Sequence, residues 1–205
     1  TSFLMDLPSL LEAFVKTQGS DLHLVTGKPP LSRIRERLTP LAFPTLDGQQ
    51  IQNLFFPVLS PHQVSTFEKA RELDFIYTLA PEKRFRVNLH WERGQVEAAV
   101  RLVPARISTP EQLNLPPLVS KWVEHEAGLV LVCGPSSSGK TTTLHSLTDQ
   151  INRKRQEVIL IIEYCSEVRH TDLQAIIKQR EVGIDTLSAA NAVRQALRQD
   201  TDVIV

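Results

Sequence analysis

Residues 134–141 read Gly-Pro-Ser-Ser-Ser-Gly-Lys-Thr, and this short run restricts the fold of the chain more than any other feature. It fits the pattern G-x-x-x-x-G-K-[ST], in which the backbone N–H groups of a glycine-rich loop surround phosphates at the start of a helix. The apolar run 128–133 directly before it is typical of a buried strand, and a helical pattern follows over 140–153. The sequence therefore predicts a strand, a phosphate-binding loop and a helix within an α/β domain.

This loop supplies the candidate nucleotide-binding residues. They are Gly134, Ser136, Ser137, Ser138, Gly139, Lys140, Thr141 and Thr142. A lysine at the position of Lys140 neutralises the terminal phosphates, and the hydroxyl of Thr141 is suited to bind Mg²⁺. The alternative is a strand-to-helix turn whose small residues serve only the geometry of the turn.

Strands and helices alternate beyond the loop. The predicted elements are a strand at 158–162, a strand-like run at 173–177, a helix at 186–198 and a strand at 202–205. This order is typical of a doubly wound domain with a mainly parallel sheet. Glu163 directly follows an apolar strand, at the end where such sheets carry their site residues. It is therefore a candidate base for activating water, and the alternative is a surface acid that marks the end of the strand.

The first half of the chain has a different pattern. It predicts a helix at 6–18 behind Asp6, a short strand at 20–25, helices at 45–59 and 60–70, and an antiparallel meander of strands at 73–79, 84–91 and 95–103. A polar stretch between two prolines follows at 104–110. We therefore predict a small α+β domain over 1–104, a linker over 105–116 and a nucleotide-binding core over 117–205.

Composition excludes several classes of function. The 23 Lys and Arg balance 23 Asp and Glu, so no overall charge attracts nucleic acid or anionic lipid. The longest apolar runs are far shorter than the roughly 18 residues of a membrane span, so no direct membrane insertion is expected. Two cysteines and six scattered histidines lack metal-ligand spacing, and we predict no zinc site. Without a recognisable secretory leader, the cytoplasm is the expected compartment.

Four separated segments carry a more specific pattern. They are Ser20-Asp21-Leu22-His23-Leu24 with Gly27-Lys28-Pro29-Pro30, then Arg84-Phe85-Arg86-Val87-Asn88 with Arg93-Gly94 and Arg101-Leu102-Val103-Pro104, then 134–143, and finally Gln179-Arg180-Glu181-Val182-Gly183 through to Asp200. Together they resemble the PilT-like type IV pilus retraction (twitching motility) ATPases of the type II/type IV secretion ATPase superfamily. The resemblance implies a PAS-like N-terminal domain, a RecA-like P-loop domain, and ATP and Mg²⁺ as cofactors.

The resemblance also implies roles for individual residues and for partners. Lys140 and Thr141 would bind phosphates and Mg²⁺, and Glu163 would be the catalytic base. The arginines that would approach the phosphates from the N-terminal domain are Arg86, Arg93 and Arg101, although ordinary charge on a strand surface is an alternative for them. The implied partners are further copies of the chain in a homo-hexameric ring and an inner-membrane platform protein of a pilus or secretion machine. Nucleic acid is not among them, and the implied location is cytoplasmic, peripheral at the inner membrane.

Two departures from the family pattern affect these expectations. Where the family usually reads Ile-Glu-Asp-Pro-Ile-Glu, this chain has Ile162-Glu163-Tyr164-Cys165-Ser166-Glu167. Loss of the aspartate and the proline would remove support for Glu163 and lower turnover while nucleotide binding is retained. The chain also ends at Val205, inside the expected Walker B strand. We therefore expect a truncated core with reduced or absent activity in the 205-residue chain alone.

The leading interpretation is an ATP-hydrolysing motor subunit for pilus retraction. A second interpretation, suggested by the altered segment after Glu163, is a nucleotide-binding but poorly hydrolysing regulatory or assembly subunit. A third is a pilus-assembly or type II secretion ATPase, which the short N-terminus disfavours.

Overall fold

A computed structural model describes residues 5–104, 106–135 and 138–205 of the chain. The chain divides between Val103 and Pro104 into two compact units, and each is described here by itself.

The helices of the first unit begin at residues that cap free N–H groups. They are α1 (Leu7–Lys16), α2 (Gly48–Phe55), a 3₁₀ turn (Phe56–Val58) and α3 (Pro61–Ala70). The side chain of Asp6 accepts a hydrogen bond from the backbone of Ser9, while Asp47 and Ser60 each form a reciprocal capping box. The three predicted helices are confirmed, with the middle one shorter than expected because its last turn is a 3₁₀ turn.

A six-stranded antiparallel sheet completes this unit. Its strands are β1 (Asp21–Leu24), β2 (Leu31–Ile34), β3 (Arg37–Pro40), β4 (Glu72–Ala80), β5 (Lys83–Glu92) and β6 (Gln95–Val103), in the order β3-β2-β1-β6-β5-β4. The predicted meander is confirmed. The hairpin of β2 and β3 was not predicted, because its turn places Arg35 and Glu36 at positive φ angles of 46° and 68° without the glycine or asparagine that usually marks such a turn.

Alternation along β5 separates the core of this unit from its polar surface. Phe85, Val87 and Leu89 are fully buried, together with Phe14 of α1 and Phe55 of α2. The residues between them on β5 lie on the opposite face of the sheet. The polar residues of β5 therefore share one surface with their neighbours on β1 and β6.

The second unit has the predicted parallel sheet. Its elements are α4 (Pro117–Trp122), α5 (Lys140–Lys154), β7 (Val158–Glu163), β8 (Ile176–Glu181), α6 (Ala189–Ala196) and β9 (Val203–Ile204), and the strand order is β8-β7-β9 with both pairings parallel. Within the described residues, no helix has the length and apolarity that crossing a membrane requires. The α/β fold class is confirmed.

One strand begins later than the sequence pattern suggests. The prediction placed it at 173–177, whereas β8 begins at Ile176. The backbone N–H of Leu173 donates to Asn152 Oδ1, and the N–H groups of Gln174 and Ala175 donate to the carbonyl of Asn152. Because these three N–H groups donate to Asn152 of α5, they are not free to pair with a strand.

The predicted strand at 128–133 is wrong. In the part of the chain that the structure describes, this run has no ladder pairing, and Leu129 and Leu131 are 82% and 72% exposed. An apolar run becomes a strand only beside a neighbour with free backbone N–H and C=O groups. Here β7 is paired on both sides, by β8 and β9, and among the described residues the run forms no ladder with the outer edge of β8 or with that of β9, which is only two residues long.

Candidate nucleotide-binding site

The start of α5 is shaped as an anion-binding helix end. Gly139 is its N-cap residue, with a φ of 88° that favours glycine, and no described side chain caps the first turn. The free N–H groups of a helix N-terminus carry partial positive charge. A phosphate group is therefore a suitable partner for this end of the helix.

The loop before α5 is closely packed around small residues. A Cβ atom built on Gly134 would lie 2.6 Å from Ser138 Oγ, so a larger residue at 134 would require the serine to move. Ser136 and Ser137, which the sequence predicts as nucleotide-binding residues, lie outside the described residues. The described part of the loop thus brings Gly134, Ser138 and Gly139 together at one turn.

The lysine of the loop folds back over it. Lys140 Nζ donates a hydrogen bond to the carbonyl of Pro135 at 2.6 Å. Thr141 and Thr142 are exposed in the first turn of α5. The ammonium group and both hydroxyls are therefore near the uncapped helix end, where phosphate oxygens and a bound Mg²⁺ would need them.

Glu163 ends β7, and its carboxylate is largely enclosed. The side chain is 16% exposed, and Oε1 lies 3.0 Å from Nε2 of His145 on α5. The contact has the distance of a hydrogen bond but not its alignment, because His145 Nε2 is buried without a hydrogen-bond partner among the described residues. The other carboxylate oxygen, Glu163 Oε2, is likewise buried without a partner among them. The base candidate is thus held against the helix that begins at the phosphate loop.

A second histidine continues this contact. His145 Nδ1 lies 3.0 Å from His170 Nε2, in the loop after β7, and the ring centroids are 5.2 Å apart. Burial is the largest cause that lowers the pKa of His170, to about 4, and a positive charge on His145 acts in the same direction, whereas Asp149 and Glu163 oppose it. At neutral pH, His170 is therefore uncharged.

The sequence analysis did not single out these two histidines. His145, Asp149 and Asn152 are all buried on α5, at helical spacing i, i+4 and i+7. The sequence signal that could have identified these residues is a set of polar side chains at helical spacings that usually carry apolar ones. Within the described residues, no group of three or more His, Cys, Asp or Glu has a geometry that could hold a metal ion.

The loop after β7 is fixed by side chains of β8. Gln179 Oε1 accepts a hydrogen bond from the backbone of His170 at 2.9 Å, and Gln179 Nε2 donates to the carbonyl of Val168 at 2.7 Å. The backbone N–H of Ser166 donates to Glu181 Oε2 at 3.1 Å. This segment, in which the family's aspartate and proline are replaced, is thus anchored by hydrogen bonds. Tyr164 itself is 76% exposed.

The three arginines predicted for the site lie in the first unit, and two of them are neighbours. Arg86 on β5 and Arg101 on β6 are directly paired across the sheet. Arg93 lies in the turn after β5, seven residues beyond Arg86, which corresponds to roughly 20 Å along a strand. The structure therefore brings Arg86 and Arg101 together and leaves Arg93 at the other end of the hairpin.

Acidic residues partner both neighbouring arginines. Arg101 Nε and Nη2 each lie 2.8 Å from Asp21 Oδ1, and Arg86 Nε lies 3.4 Å from Asp74 Oδ1. Burial raises the pKa of Asp21, but hydrogen bonds from Ser20 and Arg101 outweigh it, so the pKa lies below its ordinary value. Asp21 is thus ionised at neutral pH and fixes the guanidinium group of Arg101.

The comparisons with known proteins point to one family. The family model described as "Type II/IV secretion system protein" matches residues 99–205. Over 201 residues, the chain is 35% identical to the type IV pilus retraction ATPase PilT of Pseudomonas aeruginosa, an alignment that covers 98% of this chain and 58% of that relative. It is 36% identical to a twitching motility protein of Neisseria gonorrhoeae, over 86% of this chain and 47% of that protein.

A solved structure agrees with these matches. The crystal structure of the pilus retraction motor PilT with bound ADP superimposes with a TM-score of 0.91 at 37% identity, over 98% of this chain and 59% of that one. The chain thus spans between about half and three fifths of the length of these relatives.

Proposed function

This chain belongs to the type II/IV secretion system protein family, and we propose that it is an ATP-binding and ATP-hydrolysing motor subunit for type IV pilus retraction. The proposal is supported by the likeness to PilT, which extends over almost the whole chain. The single observation that carries it is the geometry of the phosphate loop, where Gly139 leaves the N-terminus of α5 uncapped by any described side chain and Lys140 lies over the loop.

ATP fits this arrangement through its phosphates. The free N–H groups at the start of α5 would bind the phosphate oxygens, and Lys140 would exchange the carbonyl of Pro135 for the terminal phosphates. The hydroxyl of Thr141 would hold Mg²⁺, which neutralises charge on the phosphates when it is bound. The proposed set of nucleotide-binding residues is completed by Gly134, Ser136, Ser137, Ser138, Gly139 and Thr142.

Hydrolysis requires a base and positive charge beside the transferred group. In this proposal Glu163 polarises the attacking water, because its Oε2 is free of any hydrogen bond to the described residues. Arg86, Arg93 and Arg101 supply guanidinium groups that stabilise charge on the phosphate oxygens. The pairing of Arg86 with Arg101 favours a joint action of these two.

The motor needs further parts and partners. We propose a PAS-like domain over 1–104, a linker over 105–116 and a RecA-like core over 117–205. Copies of the chain would form a homo-hexameric ring at the cytoplasmic side of the inner membrane, on a platform protein of the pilus or secretion machine. A pilus-assembly or type II secretion ATPase would use the same parts in another machine.

One observation favours a second candidate function, a nucleotide-binding subunit that hydrolyses ATP poorly. Tyr164 is exposed at the position where the family has an aspartate next to the base, so no carboxylate at 164 supports Glu163. The anchored loop after β7 argues in the other direction, because Gln179 and Glu181 hold it without the family's proline.

Binding and turnover of ATP, measured side by side, test the proposal. The measurement uses this chain and a longer form that continues through the Walker B carboxylate, each with Lys140→Ala. Lys69→Ala, at an exposed lysine on α3, is the matched control. Turnover that is lost with Lys140→Ala but not with Lys69→Ala supports the motor. Binding that depends on Lys140, without turnover in either form, supports the second candidate, and binding that is indifferent to Lys140 overturns both.

A further inference from the structure

The contact between His145 and Glu163 connects two parts of the proposed site. His145 lies on α5, five residues after Lys140, and Glu163 lies at the end of β7. The imidazole is buried, and its Nε2 is 3.0 Å from Glu163 Oε1. Any movement of α5 relative to β7 therefore changes the surroundings of the carboxylate directly.

The second nitrogen of His145 contacts His170, and the direction of that hydrogen bond is coupled to the tautomer of His145. Nδ1 is 3.0 Å from His170 Nε2, and one of these two atoms must donate to the other. When His170 Nε2–H donates to His145 Nδ1, a neutral His145 carries its proton on Nε2, which faces Glu163. A chain of two N–H groups then runs from His170 through His145 to Glu163 Oε1.

His170 is itself fixed in place. Its backbone N–H donates to Gln179 Oε1 at 2.9 Å, and the next residue, Thr171, is bonded through its carbonyl to Asn152 Nδ2 at 2.8 Å. These bonds tie the histidine to β8 on one side and to α5 on the other. The backbone that carries the His170 ring is therefore fixed beside α5.

The two carboxylate oxygens of Glu163 have different surroundings. Oε1 faces His145, while Oε2 is buried with no hydrogen-bond partner in the described residues. A buried carboxylate oxygen without a hydrogen-bond partner is energetically unfavourable. A water molecule in line with the terminal phosphate would supply the missing partner.

We propose that His145 is a positioning residue for Glu163: backed by His170, it holds Oε1 so that Oε2 is directed at the attacking water. This inference rests on the proposed function. It assigns to the histidine pair the support that the family's aspartate and proline would give. The poor alignment of the His145–Glu163 contact is consistent with it, because such contacts often tighten only when substrate is bound.

Other charged groups near the pair are already engaged. Asp149, one turn after His145 on α5, is buried and accepts a hydrogen bond from Arg153 Nε at 2.7 Å. Its carboxylate and that of Glu163 both favour the protonated form of His170. Neither reverses the effect of burial on the pKa of His170, so His170 stays uncharged at physiological pH.

The test compares His145→Ala with His145→Gln in the longer form of the protein. Loss of the ring should lower kcat by about 10- to 100-fold and leave KM and the Kd for nucleotide nearly unchanged, because a positioning group acts on the reacting geometry. His145→Gln keeps an N–H donor of similar reach and should recover most of kcat. His125→Ala, at an exposed histidine in the same unit, is the matched control and should leave kcat unchanged.

A double-mutant cycle separates positioning from a structural role. In the Glu163→Gln background, His145→Ala should cause no further loss of kcat, since its effect passes through the carboxylate. Equal losses in both backgrounds, or a wild-type kcat in His145→Ala, would overturn the positioning role. Failure of the proposed function looks different, because hydrolysis would then be insensitive to Lys140→Ala.

Discussion

Asn152 holds the backbone at Thr171, its Nδ2 donating to the carbonyl oxygen of Thr171 at 2.8 Å. The other end of the same amide, Oδ1, accepts from the N–H of Leu173 at 3.1 Å. Asn152 is fully buried on α5, so its amide group is shielded from water. One side chain thus joins the helix of the phosphate loop to the segment that carries His170.

Replacement of Asn152 by alanine should lower the free energy of unfolding by about 1–3 kcal/mol, because two backbone groups lose a hydrogen-bond partner that is itself fully buried. Urea unfolding followed by circular dichroism measures the change. Asn53→Ala, at an exposed asparagine on α2, is the control and should stay within about 0.5 kcal/mol of wild type. Equal stability of the two variants would show that water replaces the amide in solution.

The pH dependence of stability should report the buried state of His170. Its folded pKa of about 4 lies below the ordinary value of 6.5, so between these values the unfolded chain binds more protons than the folded one. Stability therefore falls as pH is lowered from 6.5 towards 4. Because the ring is partly exposed, we expect a loss of about 1–2 kcal/mol from this group, less than for complete burial.

His170→Gln should flatten this part of the pH profile, while His62→Gln, at an exposed histidine on α3, should not change it. Unfolding in urea at a series of pH values between 4 and 7 makes the comparison. A profile that keeps its slope in His170→Gln would mean that another group causes it.

A comparison of two glycines with positive φ angles distinguishes backbone strain from a role in nucleotide binding. Gly139 and Gly183 have φ angles of 88° and 92°, and a Cβ built on either meets no atom within 4 Å among the described residues beyond its chain neighbours. Alanine at each position should lower the free energy of unfolding by about 1 kcal/mol through backbone strain alone. Only Gly139→Ala should also weaken nucleotide binding, by on the order of tenfold, since it shifts the N–H groups at the start of α5. Titration with a fluorescent ADP analogue measures the nucleotide affinity of both variants.

Much of the fold follows from local patterns in the sequence. The caps at Asp6 and Ser60 and the alternation of β5 are set by neighbours in the chain, and the structure agrees with them. The run 128–133 differs, because a strand depends on a partner that its own composition does not supply. The start of β8 likewise depends on Asn152, which lies more than twenty residues earlier.

The candidate site divides in the same way. Lys140 is predicted by the motif and Glu163 by its place at the end of a strand. The contact of Glu163 with His145, and of His145 with His170, depends instead on the packing of α5 against β7 and the loop that follows it. The separation of Arg93 from Arg86 follows from the length of β5, and it could have been predicted from the sequence.

The exposed run at 128–133 allows a last prediction. Leu129 and Leu131 contribute little to the core, so their joint replacement by serine should change the free energy of unfolding of the 205-residue chain by less than about 0.5 kcal/mol. The same change removes apolar surface that favours association, so the variant should self-associate less, as measured by sedimentation at several concentrations. Leu147→Ser, at a buried leucine of α5, is the contrasting variant and should lose about 3 kcal/mol or more. If the double variant is destabilised as strongly as Leu147→Ser, the run is packed against a partner in solution.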